Sequence, residues 1–240
     1  MPPRESNTTE PASSTFDEFA SDYDVALNQG LTVTGEDKSF FAEQRIVHLA
    51  HCLEVLGFEA REALDMGCGT GTATPYFFKH LHVEQMYSVD TSEKCLEVAA
   101  ATWKEYAVRF FEISAYQPAG KIDLAFCNGV FHHIPPDKRS ESLERILEAL
   151  RPGGLFAFWE NNPWNPGTRY VMSRLPFDRD AALISAPKAR HMLRKAGFQI
   201  LRTDFLFIFP RLLRWLRGLE APLMKLPLGG QYQVLCRKLR

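Results

Sequence analysis

The apolar residues of this chain change rhythm near residue 60. From 16 to 56 they recur at helical spacing, with Phe40, Phe41, Ile46, Val47 and Leu49 on one face. Beyond Glu62, short apolar runs alternate with amphipathic stretches. The runs predict strands at 63–66, 85–89, 108–113, 122–127, 155–159, 198–209 and 231–236. The stretches between them predict helices at 72–82, 92–105, 137–150 and 185–196. Ser92 and Ser185 stand where N-caps belong, and Pro152-Gly153-Gly154 and Gly197 follow two of the helices as stop signals. Strands alternating with helices imply an α/β fold of three αβα layers around a mostly parallel sheet. Ligands of such sheets bind beyond the carboxyl ends of the strands.

Composition adds boundaries. Residues 1–14 are rich in Pro, Ser, Thr and Glu and read as a disordered tail. Residues 15–57 read as an N-terminal helical cap and 58–240 as the main domain. An amphipathic insertion, 210–230, separates the last two strands. The 240 residues fit one large domain, and the formal net charge of -1 gives no reason to expect nucleic acid as a partner. The five cysteines are scattered, without a Cys-x-x-Cys pair, so neither a disulfide framework nor a metal site is expected. His48, His51, His80, His82 and His191 show no metal-ligand spacing. The N-terminus lacks a leader-like pattern and no apolar run is long enough to span a bilayer, so a cytoplasmic location is expected.

The chemistry starts at Leu64-Asp65-Met66-Gly67-Cys68-Gly69-Thr70-Gly71. Three glycines between a strand and a helix allow a sharp turn and a close approach of backbone to ligand. Asp90 follows at the end of the next strand, where a carboxylate accepts ribose hydroxyls. Thr72 stands where the dinucleotide pattern needs a further glycine, and no Lys follows the last glycine as in a phosphate-binding loop. Asp65 would repel a pyrophosphate and would suit a ligand carrying an ammonium or sulfonium.

With Ser88-Val89-Asp90-Thr91-Ser92, Asn128-Gly129-Val130-Phe131-His132-His133 and Leu150-Arg151-Pro152-Gly153-Gly154, the chain resembles the class I S-adenosylmethionine-dependent methyltransferases, of small-molecule type, over roughly 16–238. The resemblance implies a Rossmann-like, seven-stranded sheet whose last strand is antiparallel, with S-adenosyl-L-methionine as cofactor. It implies that Asp65, Gly67, Cys68 and Gly69 hold the methionine end, Asp90 the ribose, and Thr91 the adenine side. Asn128 would lie under the methionine portion, and Tyr23 would close over the cofactor, with Arg45 anchoring the cap. Many members place an Asp after the third strand for the adenine edge; here Ser114 and Ala115 stand instead.

The acceptor side is less defined. His132 and His133 follow the fourth strand, and an imidazole titrating near neutrality suits a general base. Both also suit a structural part in the pocket wall. Glu160, Asn161, Trp164 and Tyr170 leave the fifth predicted strand as amides, an acid and rings able to recognise a polar, ring-bearing acceptor. The expected acceptor is a small or medium organic molecule methylated at oxygen or nitrogen: sugar-like, lipid-linked or a secondary metabolite. A macromolecular acceptor, or a cofactor-binding partner subunit without catalysis, is the rival reading. Within 210–222, Leu212, Leu213, Trp215, Leu216 and Leu219 share one arc and Arg211, Arg214 and Arg217 the other. Such a segment suits an anionic membrane surface, or a place on the sheet closing the pocket. A monomer and a homodimer both fit.

Overall fold

The computed structural model describes residues 30–175 and 181–239. Seven strands form one sheet: β1 (Glu62–Met66), β2 (Gln85–Asp90), β3 (Val108–Glu112), β4 (Ile122–Asn128), β5 (Leu150–Asn161), β6 (Phe198–Leu206) and β7 (Gln231–Lys238). Their order is β3-β2-β1-β4-β5-β7-β6. β3, β2, β1, β4 and β5 run parallel, while β7 is antiparallel to both β5 and β6. The expected mostly parallel sheet with an antiparallel last strand is therefore present.

The strands read as near-continuous apolar runs because helices cover both faces. Successive side chains divide between two cores. Along β5, Phe156 and Phe158 enter a core with Leu64, Val89, Phe131 and Tyr232. Leu155, Ala157 and Trp159 enter a second core with Met86, Phe126 and Leu235.

Helix α1 (Lys38–Leu56) supplies much of that second core through Ile46, Leu49, Cys52 and Leu53. Asp37 caps it by accepting from Phe40 N at 2.8 Å, and Gly57 ends it in the left-handed region. Val47, expected on the buried face, is 38% exposed. Phe40 and Phe41 line the cavity described below.

Several element boundaries differ from expectation. The helix expected over 72–82 is a short α turn, Thr74–Tyr76, running into a π-helical turn, Phe77–Leu81. Pro152-Gly153-Gly154 does not merely stop a helix. Its irregular backbone, with Gly153 at φ 78°, lies inside β5, where the pairing with β4 shifts between Ile122 and Leu124. Ser92 caps its helix by accepting from Cys95 N, whereas the Ser185 side chain makes no capping bond. An additional helix, Pro166–Met172, follows β5, its N-cap Asn165 accepting from Thr168 N at 3.0 Å.

The insertion between β6 and β7 forms a 3-10 helix, Arg211–Leu219, and a short α-helix, Glu220–Leu223, and buries none of their residues. It does not pack an apolar face on the sheet. Its polar side faces the protein: Arg217 Nη2 meets Glu36 Oε1 at 2.9 Å and its guanidinium lies over the Phe40 ring.

Candidate active site

β1 delivers Asp65 to the carboxyl edge of the sheet, where the chain turns through Gly67, Gly69 and Gly71, all at positive φ. Only glycine fits the first of these: a Cβ on Gly67 would stand 2.3 Å from Val130 Cγ2. The turn is held by β2. Gly67 N and Cys68 N donate to Val89 O, and Gly69 N donates to Asp90 Oδ2 at 2.7 Å. Asp90 Oδ1 accepts from Ser92 N at 3.0 Å. Behind the turn, Trp103 Nε1 donates to Thr70 O. A Cβ on Gly69, by contrast, would have nothing within 4 Å, so its face is open to a ligand.

Two polar groups here lack partners. The Asp65 carboxyl is 3% exposed and lines the cavity, yet among the described residues it accepts no hydrogen bond. Burial, and secondarily the nearby Asp90 charge, push its pKa up to about 7. Asn128 Oδ1, at the end of β4 and on the same cavity, is also buried without a partner. Unpaired buried groups of this kind are uncommon and call for a ligand. An acid and an amide oxygen together fit an ammonium.

The cavity has a volume of about 730 Å³ and extends from this end outward. Its walls are mixed: Phe40, Phe41, Met172, Leu175, Phe207 and Phe209 stand beside the ionisable Glu36, Lys38, Asp65, Arg217 and Glu220. A hydrogen-bonded chain runs along its wall: Arg45 Nε donates to Gln231 Oε1 at 2.9 Å, and Gln231 Nε2 donates to Asn161 Oδ1 at 3.0 Å. All three side chains line the cavity.

His132 and His133 line the same space, their ring centroids 4.1 Å apart. His132 is anchored from behind. Glu160 Oε2 lies 2.6 Å from its Nδ1 and Oε1 accepts from its backbone N at 3.2 Å.

Of the residues expected to hold the cofactor, Asp65, Gly67, Cys68, Gly69 and Asn128 come together on the cavity. Asp90 buttresses the glycine turn. Thr91, Ser114 and Ala115 are exposed and do not line the cavity. Tyr23 lies outside the described residues. Ser114 instead binds its neighbour, its N and Oγ both donating to Glu112 Oε2. Glu112, paired in register with Asp90, puts a carboxylate near the edge where Ser114 alone was expected. A glutamate ending one strand beside the ribose acid, followed two residues on by serine, was the available signal.

The acceptor-side expectation is corrected more heavily. Only Asn161 lines the cavity. Glu160 is fully buried, because the alternation of β5 turns it inward to His132. Trp164 is 52% and Tyr170 47% exposed, and neither lines the cavity; Tyr170 instead stacks with Arg174. Gln231, read only as the start of a strand, joins the cavity.

His48 also departs from expectation. With Cys52 and Asp204 it forms a group whose ligand atoms lie within 4.8 Å of one another. Asp204 also binds Arg202 and Lys225. With two permanent cations on its only carboxylate, this group is a buried ion network tying α1 to β6.

These features are those of a Rossmann-like domain with a cavity at the carboxyl edge of its sheet, beside the glycine turn. The fold and the glycine turn are similar to those of the class I S-adenosylmethionine-dependent methyltransferases. Residues 64–156 match the family described as "Methyltransferase domain". The curated relatives include trans-aconitate 2-methyltransferases from Azoarcus sp., 27% identical over 53% of this chain and 50% of that protein, and from Pseudomonas aeruginosa, 29% identical over 61% and 53%. The chain spans about half the length of these relatives. Among solved structures, a Thermotoga maritima S-adenosylmethionine-dependent methyltransferase, described as a possible histamine N-methyltransferase, superposes with a TM-score of 0.64 at 17% identity, covering 94% of this chain and 99% of that one. A [4+2]-cyclase superposes at 0.58 and 18% identity, covering 80% of each chain, so the fold alone does not specify methyl transfer.

S-adenosylmethionine fits the residues present. Asp65 and Asn128 would take its ammonium and the open face of Gly69 would admit its close approach, while Asp90, which does not line the cavity, holds Gly69 N and Ser92 N.

Proposed function

We propose that the protein transfers a methyl group from S-adenosylmethionine to an oxygen of a small or medium acceptor with a hydrocarbon or aromatic portion. Held by Asp65 and Asn128, S-adenosylmethionine would supply an activated methyl, the acceptor oxygen forming the O–CH₃ bond as the S–CH₃ bond breaks and its electron pair stays on sulfur. What this chain supplies is placement. The carrying observation is the unpaired Asp65 carboxyl on the same cavity as the Arg45–Gln231–Asn161 chain.

Arg45 suits an anionic or carbonyl oxygen of the acceptor, since a guanidinium recognises carboxylates well. The relatives' name, which refers to a carboxylic acid, supports an acid acceptor. A carboxylate nucleophile is already deprotonated and needs no base. A hydroxyl acceptor would use His132 or His133 for its proton. Phe40, Phe41, Phe207 and Phe209 in the wall favour an acceptor with a hydrocarbon or aromatic portion, and the exposed Trp164 does not line the cavity.

The test is transfer of a labelled methyl to a panel of carboxylic acids, from trans-aconitate to aromatic and medium-chain acids. Labelled ester from the apolar acids, with the acceptor KM raised about tenfold in Arg45→Gln, supports the assignment. Tight binding of S-adenosylhomocysteine with no transfer to any acceptor would mark a cofactor-binding protein without methyl transfer.

A further inference from the structure

The insertion between β6 and β7 is amphipathic, but its orientation is inverted relative to a packed helix. Leu212 is 87% exposed, Trp215 75% and Leu219 52%. Two of its three arginines reach inward, and Arg214 is exposed. Arg211 Nη1 donates to Gly35 O at 3.2 Å, and Arg217 is held by Glu36 and by Phe209 O. The segment is thus fixed to the body by its polar side while its apolar side faces solvent.

The ledge continues. Leu226 and Leu228 are each 49% exposed, and Trp164 is 52% exposed. Hydrogen bonds from Asn162 to Pro227 O and from Asn165 to Leu228 O tie the Trp164 loop to this strip. Single exposed leucines are ordinary, but several exposed leucines with Trp215 along 212–228, and Trp164 on the adjoining loop, mark a recognition surface. Its rim carries a net positive charge: Arg211 and Arg214 are exposed, while Arg217 and Lys225 are paired with Glu36 and Asp204. The segment's own acid is occupied, Glu220 Oε1 accepting from Phe209 N at 3.0 Å.

We propose that this ledge docks on an anionic lipid surface. Indole and leucine side chains beside arginines are the composition that settles at the headgroup boundary, with the apolar face entering and the cations meeting lipid phosphates. No described helix is long and apolar enough to cross a membrane, so the contact is peripheral. The same segment forms part of the cavity wall through Pro210, Arg217 and Glu220. Docking therefore brings the cavity close to the bilayer, where an acceptor with a hydrocarbon portion would be concentrated. The docking itself does not depend on the methyl-transfer reading, because it is measured without acceptor or cofactor.

The experiment is cosedimentation of the full chain with phosphatidylglycerol-containing and with pure phosphatidylcholine vesicles, at low and high salt. Binding to the anionic vesicles, weakened by salt, is expected. Leu212→Ser with Trp215→Ser should reduce it about tenfold or more, and Arg214→Glu alone about fivefold. All three positions are exposed, so thermal melts of the variants should match the parent. Absence of vesicle binding by the parent chain overturns the proposal, as does binding unchanged in both variants. A stable dimer that the Leu212/Trp215 variant dissociates would also overturn it, by assigning the ledge to a second copy of the chain.

Discussion

His132 Nδ1 lies 2.6 Å from Glu160 Oε2, with both side chains almost wholly removed from solvent. The carboxylate fixes the orientation of one cavity imidazole and, through Oε1, the backbone entering it. Glu160→Ala would remove the carboxylate from a buried ring nitrogen and a backbone N–H of His132, at about 1 to 3 kcal/mol each. Urea denaturation should show a loss of about 3 kcal/mol, and Glu160→Gln should lose roughly half of that. In turnover of a hydroxyl acceptor, Glu160→Gln should lower kcat more than it changes the acceptor KM, since its action is on the position of His132. With a carboxylate acceptor, which needs no base, kcat should change little.

Gly67 and Gly69 should separate stability from binding. Gly67→Ala drives a Cβ to 2.3 Å from Val130 at a positive φ, so melting should reveal a loss of about 2 kcal/mol or more. Gly69→Ala meets no neighbour within 4 Å, and its only folded-state cost is about 1 kcal/mol of left-handed strain. Its Cβ enters the cofactor space instead. Titration with S-adenosylhomocysteine should therefore show a far larger loss in Gly69→Ala than its melting shift suggests.

Asp65 makes a pH prediction. Its folded pKa, about 7, lies above its ordinary value of 3.8 because of burial and then Asp90. The neutral form therefore favours folding. That contribution is complete below about pH 4 and is lost as pH rises through about 7. Without ligand, Asp65→Asn should thus be more stable than the parent above neutrality, by an amount on the order of a few kcal/mol, and should show little difference at acid pH. Parallel melts of both proteins across that range check it.

Asp204 has the opposite sign. Burial alone would raise its pKa, but hydrogen bonds from His48, Arg202 and Lys225 outweigh burial and hold it well below the carboxylate range. Its contribution is present above about pH 4 and is lost as pH falls through the folded value. Asp204→Asn should cost at least about 2 kcal/mol at neutral pH, because three donors lose a buried charge. Added zinc should not raise the parent's melting temperature if this group is an ion network; a rise that Asp204→Asn abolishes would make it a metal centre.

The parts of this molecule that were legible in the sequence are local. The glycine turn, Asp65 before it and Asp90 after it sit within one strand-turn-helix-strand unit, where spacing alone dictates geometry. The sheet was legible because fully buried strands write apolar runs. The Arg45–Gln231–Asn161 chain was not, since its members lie on three elements 186 and 70 residues apart. Glu160 stood in a polar string that looked like a site, but the two-residue alternation of β5 continues through it and turns it inward. The amphipathic arc at 211–219 was visible, yet periodicity does not say which side faces the protein. Arg217 and its contacts with Glu36 and Phe40 decide that.

The most direct test of the central claim is calorimetric titration with S-adenosylhomocysteine near pH 6, in buffers of differing ionisation heat. Asp65 is then mostly protonated, and the ligand's ammonium should draw it into its charged form. The expected result is binding at one site with release of nearly one proton per ligand, a release that Asp65→Asn removes while weakening binding. Absence of binding, or binding whose proton release is the same in Asp65→Asn, would contradict the cofactor site described for this chain.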